Sequence, residues 1–339
     1  MCSLSANTFG IDLGTSNIKI YDLNADGVIV EKNMIAVRNK TEVFAYGNSA
    51  YDMYEKAPSN IRISYPLSNG VIAEINHMET LVRLFVNAQM KGQPKPVDVY
   101  VAIPHDVTEV ERKAFRDLIR DSNVRARDIM LVEKAVADGL GMDIDVMNSQ
   151  GVLVVDIGFE TTEISVLSLG GIVISKLMKV AGRKFDDTIR NIVRKELSLI
   201  IGEKTAENLR ISLRDLAKRG EDAVVYGRDI VTGLPVERKI PTNLVDLALI
   251  DDFDLILDTI KATLERTPPE LAADIYKHGI YLTGGASQTN KLAQHLSNGV
   301  SLNVNLSELP LVSVSMGLAK VIRERSLRSL AYDIEGPTK

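Results

Sequence analysis

A short pattern occurs twice in this chain, nearly half its length apart. Residues 12–23 read DLGTSNIKIYDL and residues 156–167 read DIGFETTEISVL. Aspartate, glycine, isoleucine and leucine fall at matched positions: 12 and 156, 14 and 158, 20 and 164, 23 and 167. Each copy follows an apolar run, enters a polar turn and returns as a second apolar run, the signature of a strand hairpin. Four identities also arise by chance among hairpins of this composition, and an aspartate at a strand end can simply cap its turn. Two similar halves facing one another would instead set two Asp-x-Gly turns across a cleft. Turn amides can hold phosphate oxygens there, and a carboxylate on each side can orient water around a divalent metal.

The remaining pattern alternates strand and helix, which places the chain in the α/β class. VDVYVAIP (97–104) reads as a strand ended by Pro104, and a helix over 108–122 follows with Thr108 as its N-cap. IMLVEKAVADGLGM (129–142) begins as a strand and turns helical. The second hairpin continues into GIVISKLMKV and then into a helix expected over 185–202. The segment 221–241 reads as short strands, 244–269 as one helix stopped by a double proline, and 279–296 as a strand, a glycine turn and a helix.

Composition narrows the function. With 339 residues, 45% hydrophobic and 25% charged, the chain is long enough for two globular domains. A net charge of -5 argues against a dedicated nucleic-acid surface. One cysteine, Cys2, excludes an internal disulfide framework or cysteine metal site and fits a reducing compartment. The beginning lacks a signal-peptide pattern and no apolar run is long enough to span a membrane, so the expected location is cytoplasmic. His77, His105, His278 and His295 are scattered without metal-ligand spacing, and neither a Gly-x-Ser-x-Gly elbow nor a Gly-x-x-x-x-Gly-Lys loop is present. RNIVRKEL (190–197) reads as the charged face of a helix.

The two hairpins, together with YLTGGASQTNKL (281–292), resemble the actin, chaperone and sugar-kinase ATPase superfamily. Within it the chain is similar to the MreB-like bacterial actins along almost its whole length. GIDLGTSNIKIY, YPLSNGVIAE, VAIPHDVTEVERKAFRD, GVLVVDIG, TTEISVLSLGGIV, IGEKTAENL, PPELAADI and YLTGGAS carry the likeness in family order. Single motifs of this kind are weak, but their order and spacing are not. The resemblance implies an actin-like ATPase fold of two similar domains around a nucleotide cleft. The first domain would comprise 1–142 and 316–339, with an outer subdomain near 31–75. The second would comprise 143–315, with an outer subdomain near 182–245. It also implies ATP or ADP with Mg²⁺, filaments that contribute to cell shape, and as partners the chain itself, a paralogue and cell-shape membrane proteins. A small-molecule kinase or ATPase of the same superfamily, and a nucleotide-independent scaffold that co-assembles with an active paralogue, are the alternatives.

Carried over position by position, Asp12, Gly14, Thr15, Ser16 and Asn17 form the first phosphate loop. Asp156, Gly158, Phe159, Glu160 and Thr161 form the second, and Asp12 and Asp156 serve the metal through water. Glu207 and Arg210 match nucleoside contacts, with arginine in place of the family's lysine. Gly284, Gly285, Ala286 and Ser287 form the turn beneath adenine. Gly14 and Gly284 suit positive φ and close backbone approach. The bare alternative for residues 284–287 is a plain strand-to-helix connection.

Departures from the family pattern fall at these positions. Phe159 and Glu160 stand where two glycines are usual. A phenylalanine at positive φ would cost about 1 kcal/mol or more. A carboxylate about 4 Å from a phosphate charge would cost on the order of 4 kcal/mol, roughly a thousandfold in affinity. Lys134 occupies the position the resemblance assigns to orienting the attacking water, and an ammonium has no acceptor for that task. Glu133 remains beside it as the candidate catalytic residue, and hydrolysis is expected to be slow or absent. An exchange of charges between Lys134 and Glu160 is expected to offset the added carboxylate. Finally, the segment NAQMKGQPKPVD (87–98) offers only Met90 before Val97 as a large apolar residue, with Lys91 and Lys95, and the first eight residues lack an apolar face. Direct membrane binding should be weak.

Overall fold

A computed structural model of the chain describes residues 7–90 and 96–333. The expectations attached to Cys2, to the first six residues and to Lys91 and Lys95 lie outside them. The chain divides into two compact units: 1–150 with 167–175 and 312–339, and 151–166 with 176–311.

In the first unit a six-stranded sheet is built around the strand Asn7–Leu13. On one side it is paired antiparallel with Asn17–Asp22, which in turn pairs antiparallel with Gly27–Lys32. On the other side it runs parallel to Val97–Ile103, and that strand runs parallel to Ala126–Glu133. The short strand Ala331–Tyr332 closes the edge, antiparallel to Ala126–Glu133. Phe9, Ile11, Ile18, Val99 and Val101 alternate into a core shared with Phe115, Leu118 and Ile119, as period-two strands meeting a period-3.6 helix require. That helix, Glu109–Asp121, starts where Thr108 caps it, with Glu111 completing a reciprocal capping box. A separate three-stranded sheet is formed by Ile35–Arg38, Glu42–Tyr46 and Ile61–Ser64.

The arrangement is repeated around the second unit's strand Val152–Ile157. A five-stranded sheet is ordered Gly171–Met178, Thr162–Ser168, Val152–Ile157, Ile280–Thr283, Val304–Leu306. Val152–Ile157 runs parallel to Ile280–Thr283, which runs parallel to Val304–Leu306. Each sheet therefore has a central strand with a penultimate aspartate, a hairpin on one side and parallel strands on the other. Three short strands, Leu199–Ile200, Ala223–Asp229 and Pro235–Ile240, make a smaller sheet beside the helix Glu203–Arg219.

Three boundaries differ from expectation. The helix expected over 185–202 runs Gly182–Leu197 and stops at Ser198, whose left-handed backbone turns the chain into Leu199–Ile200. The helix expected over 244–269 is divided at Leu249 into Thr242–Ala248 and Ile250–Arg266. The proline pair does end it, but Pro269 also opens the helix Pro269–His278, since proline needs no amide partner in a first turn. After the glycine turn, Gly285–Gln288 is a 3-10 segment, and the helix Leu292–Val300 begins only after left-handed Lys291.

Candidate functional site

The first hairpin turn is built by its own neighbours. Asp12 is the penultimate residue of the strand Asn7–Leu13 and is almost fully buried. Antiparallel register sets Lys19 opposite it, and the Lys19 ammonium lies 2.7 Å from Asp12 Oδ2. Thr15 and Ser16 are buried, and Gly14 and Asn17 are half-buried. The side chain of buried Asn33 donates to the Gly14 carbonyl at 2.9 Å, and Asn33 N–H donates to the Ser16 carbonyl at 2.9 Å. Lys32 Nζ donates to Ser16 Oγ at 3.2 Å, as does the Asn17 side-chain amide. Gly14 does not have positive φ, contrary to expectation. Its need for glycine is spatial, since a Cβ there would stand 2.7 Å from the Asn17 carbonyl oxygen.

The second hairpin turn is built by a helix end. Gly158 N–H donates to the Thr161 carbonyl at 2.9 Å and closes the turn. The carbonyls of Gly158 and Phe159 accept from the amides of Gly182 (3.1 Å) and Arg183 (2.6 Å), the first two residues of the helix Gly182–Leu197. That helix has no side-chain cap, so the turn itself satisfies amides that the helix cannot. Because a carbonyl and the following amide point to opposite sides of a trans peptide, the amides of Phe159 and Glu160 are directed away from the helix. Two successive amides aimed the same way form an anion-favouring concavity.

Neither substituted position is strained. Gly158, Phe159 and Glu160 all have negative φ, so a phenylalanine there carries no left-handed penalty. The Glu160 carboxylate is buried and ion-paired with Arg183. The Arg183 guanidinium also lies 5.4 Å from the Phe159 ring centroid, a cation–π contact. Within the second unit, therefore, Arg183 supplies a positive charge to Glu160. Lys134 itself is the half-buried first residue of the helix Lys134–Gly141.

Other predicted residues gather at the same end of the second sheet. Asp156 is buried opposite Thr283 in the parallel register. Gly284 follows with φ of 88°, and a Cβ on it would stand 2.2 Å from Asp156 Oδ1 and 2.3 Å from the Ile157 carbonyl oxygen. Ser287 is buried and donates to the Gly284 carbonyl at 2.7 Å, while Gly285 is exposed. A Cβ placed on Gly182 would meet Ala286, an Arg210 guanidinium nitrogen and the Gly158 carbonyl oxygen at 3.2–3.3 Å. Gly158, Ala286 and Arg210 thus converge on one glycine at the helix start.

Arg210 has a carboxylate partner in the same unit. It is buried, with Nε 2.6 Å from Asp186 Oδ1 and a second nitrogen 3.4 Å from Oδ2. Burial pushes the Asp186 carboxyl up to about 6, against the pull of Arg210. Glu207 is half-buried on the same helix, and its charge raises Asp186 further.

Glu133 is committed to other partners. Its Oε1 accepts from Arg112 at 2.8 Å and from the Tyr332 hydroxyl at 2.7 Å, and its Oε2 lies 3.2 Å from His105 Nδ1. Burial and the bond to Glu133 raise the Tyr332 hydroxyl above its ordinary value. A carboxylate held by three side chains fastens the strand Ala331–Tyr332 to the sheet. Met90, the one large apolar residue before Val97 in the segment 87–98, packs against the first unit's core.

Arg183, Lys19 and Asn33 were missed from sequence. Arg183 carried a signal: a Gly-Arg-Lys start sets two cations against the positive end of a helix dipole, which calls for nearby acids. Glu160 and, for Lys184, Asp252 at 3.6 Å answer it.

Among the described residues no helix is long and apolar enough to cross a membrane, and no group of three or more histidine, cysteine or acidic residues is arranged to hold a metal. A family model described as MreB/Mbl protein matches residues 6–329. The cell shape-determining protein Mbl of Bacillus subtilis is 35% identical over 316 residues, covering 92% of this chain and 94% of its own. The cell shape-determining protein MreB of Escherichia coli is 33% identical over 329 residues, with 94% and 93% covered. The crystal structure of MreB5 of Spiroplasma citri bound to AMPPNP superposes with a TM-score of 0.88 at 34% identity, covering 96% of this chain and 98% of that one, and its ADP-bound form matches equally. A MamK double helical filament structure, at 20% identity and a TM-score of 0.79, shares the fold.

Proposed function

The chain belongs to the MreB/Mbl family, and from this we infer that it is an actin-like cytoskeletal protein that contributes to cell shape by assembling into filaments. It acts in the cytoplasm and binds ATP or ADP. The observation that carries the nucleotide reading is the second turn, where a capped helix end, the Gly284 contact with Asp156 and two outward-directed amides meet in one place. The first turn offers the hydroxyls of Thr15 and Ser16 and a lysine-neutralised aspartate. Asp12 and Asp156 are each oxygen donors of the hard kind that Mg²⁺ prefers. Mg²⁺ would there neutralise phosphate charge.

Slow or absent hydrolysis is supported by Lys134, which has no acceptor, and by Glu133, which is held by Arg112, Tyr332 and His105. The outer subdomains near 31–75 and 182–245 are read from the two small sheets. Self-association is the primary partnership, with a paralogue and membrane-bound cell-shape proteins as further partners. Direct binding to lipid is weak, and nucleic acid is no partner.

Calorimetric titration of the full chain with Mg·ATP and Mg·ADP, alongside electron microscopy and a phosphate-release assay, tests this reading. Sub-millimolar binding, filaments and little phosphate release are expected. Absence of binding together with absence of filaments from the pure protein would favour the co-assembling scaffold, and phosphotransfer to a small molecule would favour a kinase.

A further inference from the structure

We propose that Arg183 is a positioning residue for nucleotide binding, holding the Glu160 carboxylate on the helix side of the second turn so that the turn can accept a polyphosphate. The proposal rests on the nucleotide reading above and adds to it a residue outside the matched motifs.

The geometry divides the turn into two faces. Carbonyls 158 and 159 are directed at the amides of Gly182 and Arg183, so amides 159 and 160 are directed the other way. The Glu160 side chain follows the carbonyls, not the amides, because Arg183 lies on the helix side and binds it there. Arg183 is fixed at three points: its own amide on Phe159, its guanidinium on Glu160, and its flat face over the Phe159 ring. A planar fork suits this combined pairing and stacking better than an ammonium. The ion pairs continue through Glu203, 3.8 Å from Arg183, to Arg190, which lies 3.8 Å from Glu203 and 3.2 Å from Asp187.

The helix end explains why an arginine can stand in its first turn. A lone cation at that position opposes the dipole. Glu160 supplies the negative charge such a terminus favours, and Arg183 neutralises that same carboxylate toward any approaching anion. Removing Arg183 leaves a carboxylate beside the anion-favouring amides. Removing the Glu160 charge leaves a cation beside them. The two variants should thus shift affinity in opposite directions, which a purely structural ion pair would not do.

The test uses the full chain, titrated calorimetrically with Mg·ATP and Mg·ADP, and melted without nucleotide. Arg183→Gln should weaken nucleotide binding by about tenfold to a thousandfold, the range set by one uncompensated charge at short distance, and ATP more than ADP. Arg183→Lys should recover part of the loss. Glu160→Gln alone should tighten binding, and Glu160→Gln with Arg183→Gln should return affinity to near wild type. If Arg183→Gln does not fold, the Glu160→Gln result decides, since tightening supports the role and weakening overturns it. Unchanged affinity in Arg183→Gln, or a loss that Glu160→Gln does not relieve, overturns the role of Arg183 while the nucleotide reading stands. No binding by the wild type overturns both, and that outcome is visible before any variant is made.

Discussion

The two hairpin turns occupy equivalent places in two equivalent sheets, yet they are held in different ways. At the first, Lys19 from the returning strand neutralises the aspartate, and the Asn33 side chain fastens the turn from below. At the second, a helix terminus donates its first amides to the turn carbonyls and an arginine of that helix holds an added acid. A sheet and hairpin position the aspartate in both, while the surroundings of the turn are free to differ. Glycine is a requirement of the first turn because of a neighbouring carbonyl. At the second turn the requirement has moved to Gly284, on the adjacent strand's exit.

The largest effect should come from that displaced requirement. Gly284→Ala combines a backbone region that favours glycine with a Cβ driven against Asp156 and Ile157, and should lower stability by about 3–5 kcal/mol in denaturant unfolding. Lys19→Met should follow, at about 3 kcal/mol, because it strands a buried carboxylate. Equal stability of wild type and Lys19→Met would remove the contrast between a lysine-held and a helix-held turn.

A pH titration examines the second unit's other buried pair. The Asp186 carboxyl has a folded-state value of about 6 against an ordinary 3.8. On raising pH, the unfolded chain releases this proton first, so the contribution to stability is complete below 3.8 and lost through 6. Between pH 4 and pH 7 this group should lower stability by about 3 kcal/mol in wild type, a slope absent from Asp186→Asn. A slope of opposite sign would mean that Arg210 outweighs burial. The smallest contrast is between glycines. Gly14→Ala should cost about 1–3 kcal/mol, whereas Gly158→Ala, with negative φ and only the Thr161 carbonyl oxygen at 3.1 Å, should cost under about 1 kcal/mol. Equal costs would indicate that both turns depend on glycine alike.

Much of this arrangement was legible before folding. The repeat marked both aspartates, the apolar alternation gave their strands, and Thr108 marked its helix start. Charge reasoning at Phe159 and Glu160 marked the residues that depart from the family pattern, but not Arg183, which pairs with Glu160 within the second unit. Arg183 lies 23 positions beyond Glu160, and no periodicity links a turn residue to a later helix's first turn. Nor does spacing foretell that the fold brings Arg112, His105 and Tyr332 onto Glu133.

Sequence alone determined the family, the α/β class, the twofold repeat and the position of each turn, because these rest on local spacing and on order along the chain. Tertiary structure alone decided which way the turn carbonyls face, what neutralises Glu160, and why Gly284 rather than Gly158 must lack a side chain. Those outcomes depend on groups distant in sequence approaching within a few ångströms, where hydrogen-bond direction and short-range charge dominate.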